Sequence, residues 1–155
     1  IRVRKDLDVT IPGGVDDGTQ LRLRGEGVAA EHGGENGDLY VVIHVLEHEI
    51  FVRKGNDVKL KLPVSFSQAV LGDEVEVPTL QGKMVLKIPS HTQNGTVFRM
   101  RGKGIKGYHG GVGDQLVKVF IKVPEKLSKK QQELVEELAA LEKEKPQGIF
   151  KRFFG

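Results

Sequence analysis

The sequence predicts an all-β protein: two tandem β-sandwich-like modules, the first truncated at its N-terminus, followed by a C-terminal amphipathic helix. Three observations predict it. The first is an internal repeat. Val9-Thr-Ile-Pro12, Gly18-Thr-Gln-Leu21-Arg-Leu-Arg24-Gly25-Glu-Gly27, His32-Gly33-Gly34 and Gly37-Asp38 recur as Leu86-Lys-Ile-Pro89, Gly95-Thr-Val-Phe98-Arg-Met-Arg101-Gly102-Lys-Gly104, His109-Gly110-Gly111 and Gly113-Asp114. The offset is 77 from Ile11/Ile88 to Gly34/Gly111 and 76 from the Gly-Asp pair onward, a fixed period that marks a repeated structural unit. The second is glycine: 20 in 155 residues, clustered where short strands need turns. The third is a change of texture at Pro124, beyond which helix formers dominate.

Taken in order, Leu7, Val9 and Ile11 alternate with polar residues and predict a strand with one buried face, ended by Pro12-Gly-Gly. Leu21–Arg24 predicts a short alternating strand. Residues 25–37 predict a glycine-rich loop. Leu39–Leu46 is continuously apolar and predicts a central strand. Glu47–Asn56 connects the modules and carries the exposed-looking pair Ile50-Phe51. Val58–Val64 alternates, Phe66–Leu71 suits a short helix before Gly72, and Val75–Val77, Met84–Ile88, Val97–Met100 and Leu116–Val123 continue as strands. Ser128-Lys-Lys-Gln131 is a capping box opening a helix that runs to about Lys145 and stops before Pro146. Leu134, Val135, Leu138 and Leu141 make one narrow apolar stripe on it. Ile149, Phe150, Phe153 and Phe154 follow on a tail too short for a core of its own. Stripe and tail together favour a second copy of the chain as partner. We place the boundaries at 1–52 (remainder of a first β-domain), 53–125 (second β-domain) and 126–155 (helix and tail).

The second copy is preceded by two further strands, Val58–Leu62 and Val75–Val77, whereas the first has no such lead-in. The repeat therefore predicts an upstream segment supplying them.

Composition narrows function. With 24 Lys+Arg against 21 Asp+Glu the formal net charge is +3, a mixed surface that argues for neither a nucleic-acid nor a membrane partner. No apolar run approaches the roughly 18 residues of a membrane span. Zero cysteines exclude disulfides and thiolate metal sites within this segment and fit a reducing, cytoplasmic setting. Gly102-Lys-Gly-Ile-Lys-Gly107 matches the dinucleotide fingerprint, but no helix can start after it, and a helix start is what receives the pyrophosphate. His32 and His109 have glycine neighbours rather than further metal ligands. Asp16, Asp17, Asp38, Asp57, Asp73 and Asp114 sit where turn chemistry alone expects aspartate. Lys143, Lys145, Lys151 and Arg152 interleave with Glu137, Glu142 and Glu144 as a solvated face. Nothing here predicts an enzyme. A carbohydrate- or nucleic-acid-binding β-sandwich, or a hydrolase using the aspartates, are the readings from other classes. With two Tyr, no Trp and seven Phe, a stacking surface is poorly supplied.

Val9-Thr-Ile-Pro-Gly-Gly-Val15, Arg22-Leu-Arg-Gly-Glu-Gly27, Glu31-His-Gly33, Gly37-Asp-Leu-Tyr-Val41, His48-Glu-Ile-Phe51-Val-Arg-Lys-Gly55, Val77-Pro-Thr-Leu80, Phe98-Arg-Met-Arg-Gly-Lys-Gly104 and Gly113-Asp114, in that order, resemble the C-terminal half of the bacterial DnaJ co-chaperones over nearly the whole chain. The resemblance implies two β-domains that bind unfolded client polypeptides and a C-terminal dimerisation helix. It also implies an upstream J domain that stimulates a DnaK-type chaperone, and usually a zinc-binding Cys-rich insert. This segment has neither His-Pro-Asp nor Cys, so it is expected to hold clients and form a homodimer without a cofactor of its own, within a protein of folding, stress response and DNA replication. Phe51 matches the family's client-pocket aromatic, with Ile50 beside it. By the repeat, Leu60, Leu62, Val75 and Val77 would form the corresponding second-module surface, although the same alternation equally suits a core.

Overall fold

A computed structural model describes residues 4–30 and 33–143. The chain forms two compact units, Ile1–Ile121 and Lys122–Gly155. The boundary read from the sequence at 52/53 falls inside the first unit.

The first unit is built of strands in three sheets. β1 (Gln20–Leu23) pairs antiparallel with β2 (Leu39–Val42). β3 (Val52–Lys54), β4 (Asp57–Val64), β7 (Val97–Met100) and β8 (Gln115–Ile121) form a four-stranded sheet in the order β3-β4-β8-β7, with β4 and β8 parallel and the outer pairs antiparallel. β5 (Asp73–Thr79) and β6 (Gly82–Ile88) make an antiparallel hairpin. Between β4 and β5 lies α1 (Phe66–Leu71). Its cap is reciprocal: the Gln68 amide donates to Ser65 Oγ at 3.1 Å and the Ser65 amide to Gln68 Oε1 at 2.9 Å.

The repeat holds down to the register. In the first copy Leu21 faces Val41 and Leu23 faces Leu39; in the second, Phe98 faces Val117 and Met100 faces Gln115. Those are the same pairs after shifts of 77 and 76. The turns repeat as well: Gly18 N–H donates to Ile43 O at 2.7 Å and Gly95 N–H to Val119 O at 2.9 Å. Gly27 and Gly104 donate to Gly37 and Gly113 carbonyls at 2.8 and 2.9 Å.

The core lies between the four-stranded sheet and the β5-β6 hairpin. Leu60, Val77 and Val117 form one buried cluster, and Val64, Ala69, Ile88 and Val119 form another. Each fully buried aliphatic side chain contributes about 1.5–3 kcal/mol. Gln115, fully buried on β8, donates from Nε2 to Pro78 O at 2.8 Å and stitches the two layers together. Where β4 begins, the backbones touch. A Cβ on Gly113 would stand 1.9 Å from Asn56 O, so only glycine fits.

Three expectations change. Leu7–Ile11 is not a strand. Its counterpart Met84–Ile88 is one because β5 supplies its ladder, and among the described residues the first copy has no β5. For the same reason Leu39–Leu46 is not central: β2 ends at Val42 and pairs only with β1. The connector 47–56 contains a strand, β3, that its charged residues concealed.

In the second unit α2 (Lys129–Lys143) starts at the expected capping box, with Gln131 N–H to Ser128 Oγ at 3.1 Å and Ser128 N–H to Gln131 Oε1 at 2.8 Å. No residue of α2 is buried.

Candidate functional site

A groove of about 690 Å³ lies where the two repeats meet. Asp16, Asp17, Val45 and Leu46 come from the first repeat and the segment just after it, Phe51 from the connector, Leu80 from the β5-β6 turn and Ile105 from the second repeat. Its lining is mostly apolar with a few charged groups at the edge, the composition of a site that takes an apolar side chain.

Phe51 stands half-buried in this groove, at the mouth of β3. The turn before it is held by His48, whose Nδ1 accepts from the Ile50 amide at 3.2 Å and the Phe51 amide at 3.4 Å. The two rings also pack, centroids 5.1 Å apart. Phe51 is thus presented on a stiffened turn. Ile50 is exposed beside it and lies outside the groove lining.

Two residues further on, Arg53 holds the repeats together. Its Nη1 donates to Val15 O at 2.7 Å, its Nη2 to Gly14 O at 3.2 Å and Asp16 Oδ1 at 2.7 Å, and its Nε to Gly55 O at 2.8 Å. Only a guanidinium supplies that many donors in a fixed fork. Across the same junction, a Cβ on Gly14 would meet Lys106 O at 2.1 Å.

Each repeat also carries an arginine–aspartate tie. Asp38 accepts from Arg22 Nε at 2.6 Å and the Gly25 amide at 3.0 Å; Asp114 accepts from Arg99 Nη1 at 2.6 Å and the Gly102 amide at 2.9 Å. The glycine amide first, then the arginine, holds each carboxyl below the ordinary aspartate value of 3.8. These aspartates therefore do more than shape turns.

The proposed second-module surface requires correction. Leu60 and Val77 are buried, packed on Val117, and Leu62 and Val75 are half-buried against the same clusters. Alternation correctly puts Leu60 with Leu62 on one face of β4 and Val75 with Val77 on one face of β5. It does not reveal that these two faces pack against each other. On α2 the stripe is exposed throughout: Leu134 and Val135 are about half accessible, Leu138 is 39% and Leu141 62% exposed. Ile149, Phe150, Phe153 and Phe154 lie outside the described residues.

Sequence reading found Phe51 but missed Val45, Leu46, Leu80 and Ile105. The available signal was an apolar Val-Leu pair running past the end of β2 into a polar connector. For the metal question, no three His, Asp or Glu side chains converge as ligands among the described residues, and the chain has no cysteine. The Gly102–Gly107 fingerprint leads into a turn bridged at Lys106/Val112, without a helix.

The chain is a duplicated β-unit with an apolar groove at the junction, followed by a helix with an exposed apolar stripe. The family described as DnaJ C terminal domain matches residues 1–124, and the chain belongs to it. It is 54% identical over 147 residues to Chaperone protein DnaJ of Brevibacillus choshinensis, covering 94% of this chain and 39% of that protein. To Chaperone protein DnaJ of Halalkalibacterium halodurans it is 48% identical over 155 residues, covering 99% of this chain and 42% of that protein. The chain thus spans about two fifths of the length of these curated relatives.

Proposed function

We propose that this segment is the client-holding and self-associating part of a DnaJ-type co-chaperone. The observation that carries the reading is the apolar groove around Phe51, held open by Arg53 between the repeats. β3 is an edge strand, bonded on one side only to β4. An extended, unfolded polypeptide adding to that edge pairs its backbone with Val52–Lys54 and drops an apolar side chain beside Phe51. Backbone pairing is indifferent to sequence and the groove selects only for apolar character, so many clients fit.

In the same reading, 1–52 is the remainder of a first β-domain and 53–125 the second, while the α2 stripe with the phenylalanine-rich tail joins two copies. Delivery of clients to a DnaK-type chaperone belongs to a J domain elsewhere in the protein, and zinc to a Cys-rich insert there. The segment acts by binding, not by catalysis, in the cytoplasm. No helix among the described residues is long and apolar enough to cross a membrane.

The test is fluorescence anisotropy of a labelled apolar peptide, or of a reduced and unfolded client, against the wild type and Phe51→Ala. Truncating a buried aromatic anchor costs at least about 1–2 kcal/mol of binding, or roughly tenfold in Kd. Because Phe51 is only half-buried, thermal stability should stay nearly unchanged. Unchanged affinity with a large fall in melting temperature would make Phe51 a core residue instead.

A further inference from the structure

The solvent face of the four-stranded sheet is predominantly basic. Reading the outward positions across the register, β3 presents Val52 and Lys54, β4 Asp57, Lys59 and Lys61, β8 Leu116, Lys118 and Phe120, and β7 Val97 and Arg99. Lys61 stands directly opposite Lys118 on the parallel neighbour, an arrangement that costs stability. The acidic groups at this end of the sheet, Asp57 and Asp114, are already committed: Asp57 Oδ1 accepts the Asp114 amide at 2.8 Å, and Asp114 holds Arg99. Lys59, Lys61 and Lys118 have no ion-pair partner among the described residues. Exposed apolar groups lie between them, with Phe120 39% and Val97 53% accessible.

Two internal comparisons bear on these cations. The repeat counterparts of Leu116, Lys118 and Phe120 are Tyr40, Val42 and His44, so the first copy has no cation at the Lys118 position. On the other layer, the outward face of the β5-β6 hairpin mixes signs, with Glu74 opposite Lys87.

We propose that this face docks an acidic polypeptide segment that also carries apolar side chains. Its carboxylates pair with Lys59, Lys61 and Lys118 while an apolar side chain packs on Phe120. The lysines it rests on, Lys59, Lys61 and Lys118, lie outside the client groove, although β3 borders both surfaces. A single-stranded nucleic acid is the less suitable occupant, because stacking needs successive aromatic platforms and this face has one ring.

The test uses the 155-residue chain and three probes: a fluorescent peptide of alternating Glu and Leu, a single-stranded DNA of equal charge, and phosphatidylserine vesicles. The variant Lys59→Gln/Lys61→Gln/Lys118→Gln is compared with Lys83→Gln/Lys87→Gln/Lys103→Gln, which removes the same charge elsewhere. All six side chains lie at or near the surface, and the single variant Lys61→Gln guards against any folding defect. The acidic peptide should lose about tenfold in affinity in the first triple variant and less than about twofold in the second, with salt weakening wild-type binding. Lys61→Gln should give a smaller loss in the same direction. Equal losses in both triple variants would overturn the proposal, since net charge alone would then explain binding. DNA or vesicles bound more tightly than the peptide, with dependence on the same three lysines, would overturn it in favour of a nucleic acid or a membrane. Absence of peptide binding by the wild type at low salt would also overturn it.

Discussion

Val77→Ala separates core from binding surface in one substitution. Val77 is fully buried between Leu60 and Val117, with Leu62, Val75, Leu86, Phe98 and Met100 packed around that cluster. Alanine removes two methyl groups. At about 0.8 kcal/mol each, transfer alone accounts for roughly 1.6 kcal/mol. The cavity left in a two-sheet core that relaxes only partly raises the total to about 2–3 kcal/mol. For a unit of this size that is a fall in melting temperature of roughly 6–15 °C. Urea unfolding followed by far-UV circular dichroism measures it, as a lower midpoint with an unchanged slope. At a temperature where the variant is still folded, its affinity for an apolar client peptide should match the wild type within about twofold, since Val77 and the groove share no partner. A variant that melts within about 2 °C of the wild type but loses client affinity would return Val77 to the binding surface, and with it the two-layer packing would fail.

Replacing Arg53 with Met leaves the Val15 and Gly55 carbonyls and Asp16 without the Arg53 donors, and the Gly14 carbonyl with only the Tyr108 amide at 3.4 Å. The side chain is about one-quarter exposed, so water recovers part of the loss; about 1–2 kcal/mol of stability should go, measured in urea, and client affinity should fall with it. For the paired aspartates, both folded values lie below 3.8, so their contribution is fully present above that pH. As pH falls, the unfolded carboxyls take up protons first and the contribution is lost. Asp38→Asn/Asp114→Asn should therefore show a flatter loss of stability than the wild type between about pH 5 and 2, followed by circular dichroism. Leu134→Glu/Leu138→Glu places two charges in the exposed stripe and should give monomers by analytical ultracentrifugation with α2 intact. A variant still sedimenting as a dimer would place the interface elsewhere.

Much of this architecture was legible in the residues, and the reasons differ by element. The offset of 77 then 76 reappears in the β1-β2 and β7-β8 registers, because a repeated side-chain pattern demands a repeated pairing. The α2 start was legible because a cap is a local device, complete within four residues; the Ser65–Gln68 box that opens α1 is of the same kind but was not read. Leu7–Ile11 failed because a strand needs a partner as well as an alternating pattern. Leu60 and Val77 failed as surface residues because alternation assigns a face without saying what covers it. Phe51 was singled out by the family resemblance. The groove around it was not, since Asp16, Leu80 and Ile105 come from segments far apart in sequence and meet only through the Arg53 junction. The Asp38 and Asp114 ties were half legible: glycine neighbours announced the turns, but the arginines lie 16 and 15 positions upstream.

The most direct measurement is a titration of the ¹⁵N-labelled chain with an unlabelled apolar client peptide, followed by amide chemical shifts. The account predicts shifts concentrated at Val45–Lys54, Leu80 and Ile105, with saturation at one stoichiometry and none of comparable size at Leu60 or Val77. Shifts centred away from Phe51, or spread evenly over the exposed apolar residues, would contradict it.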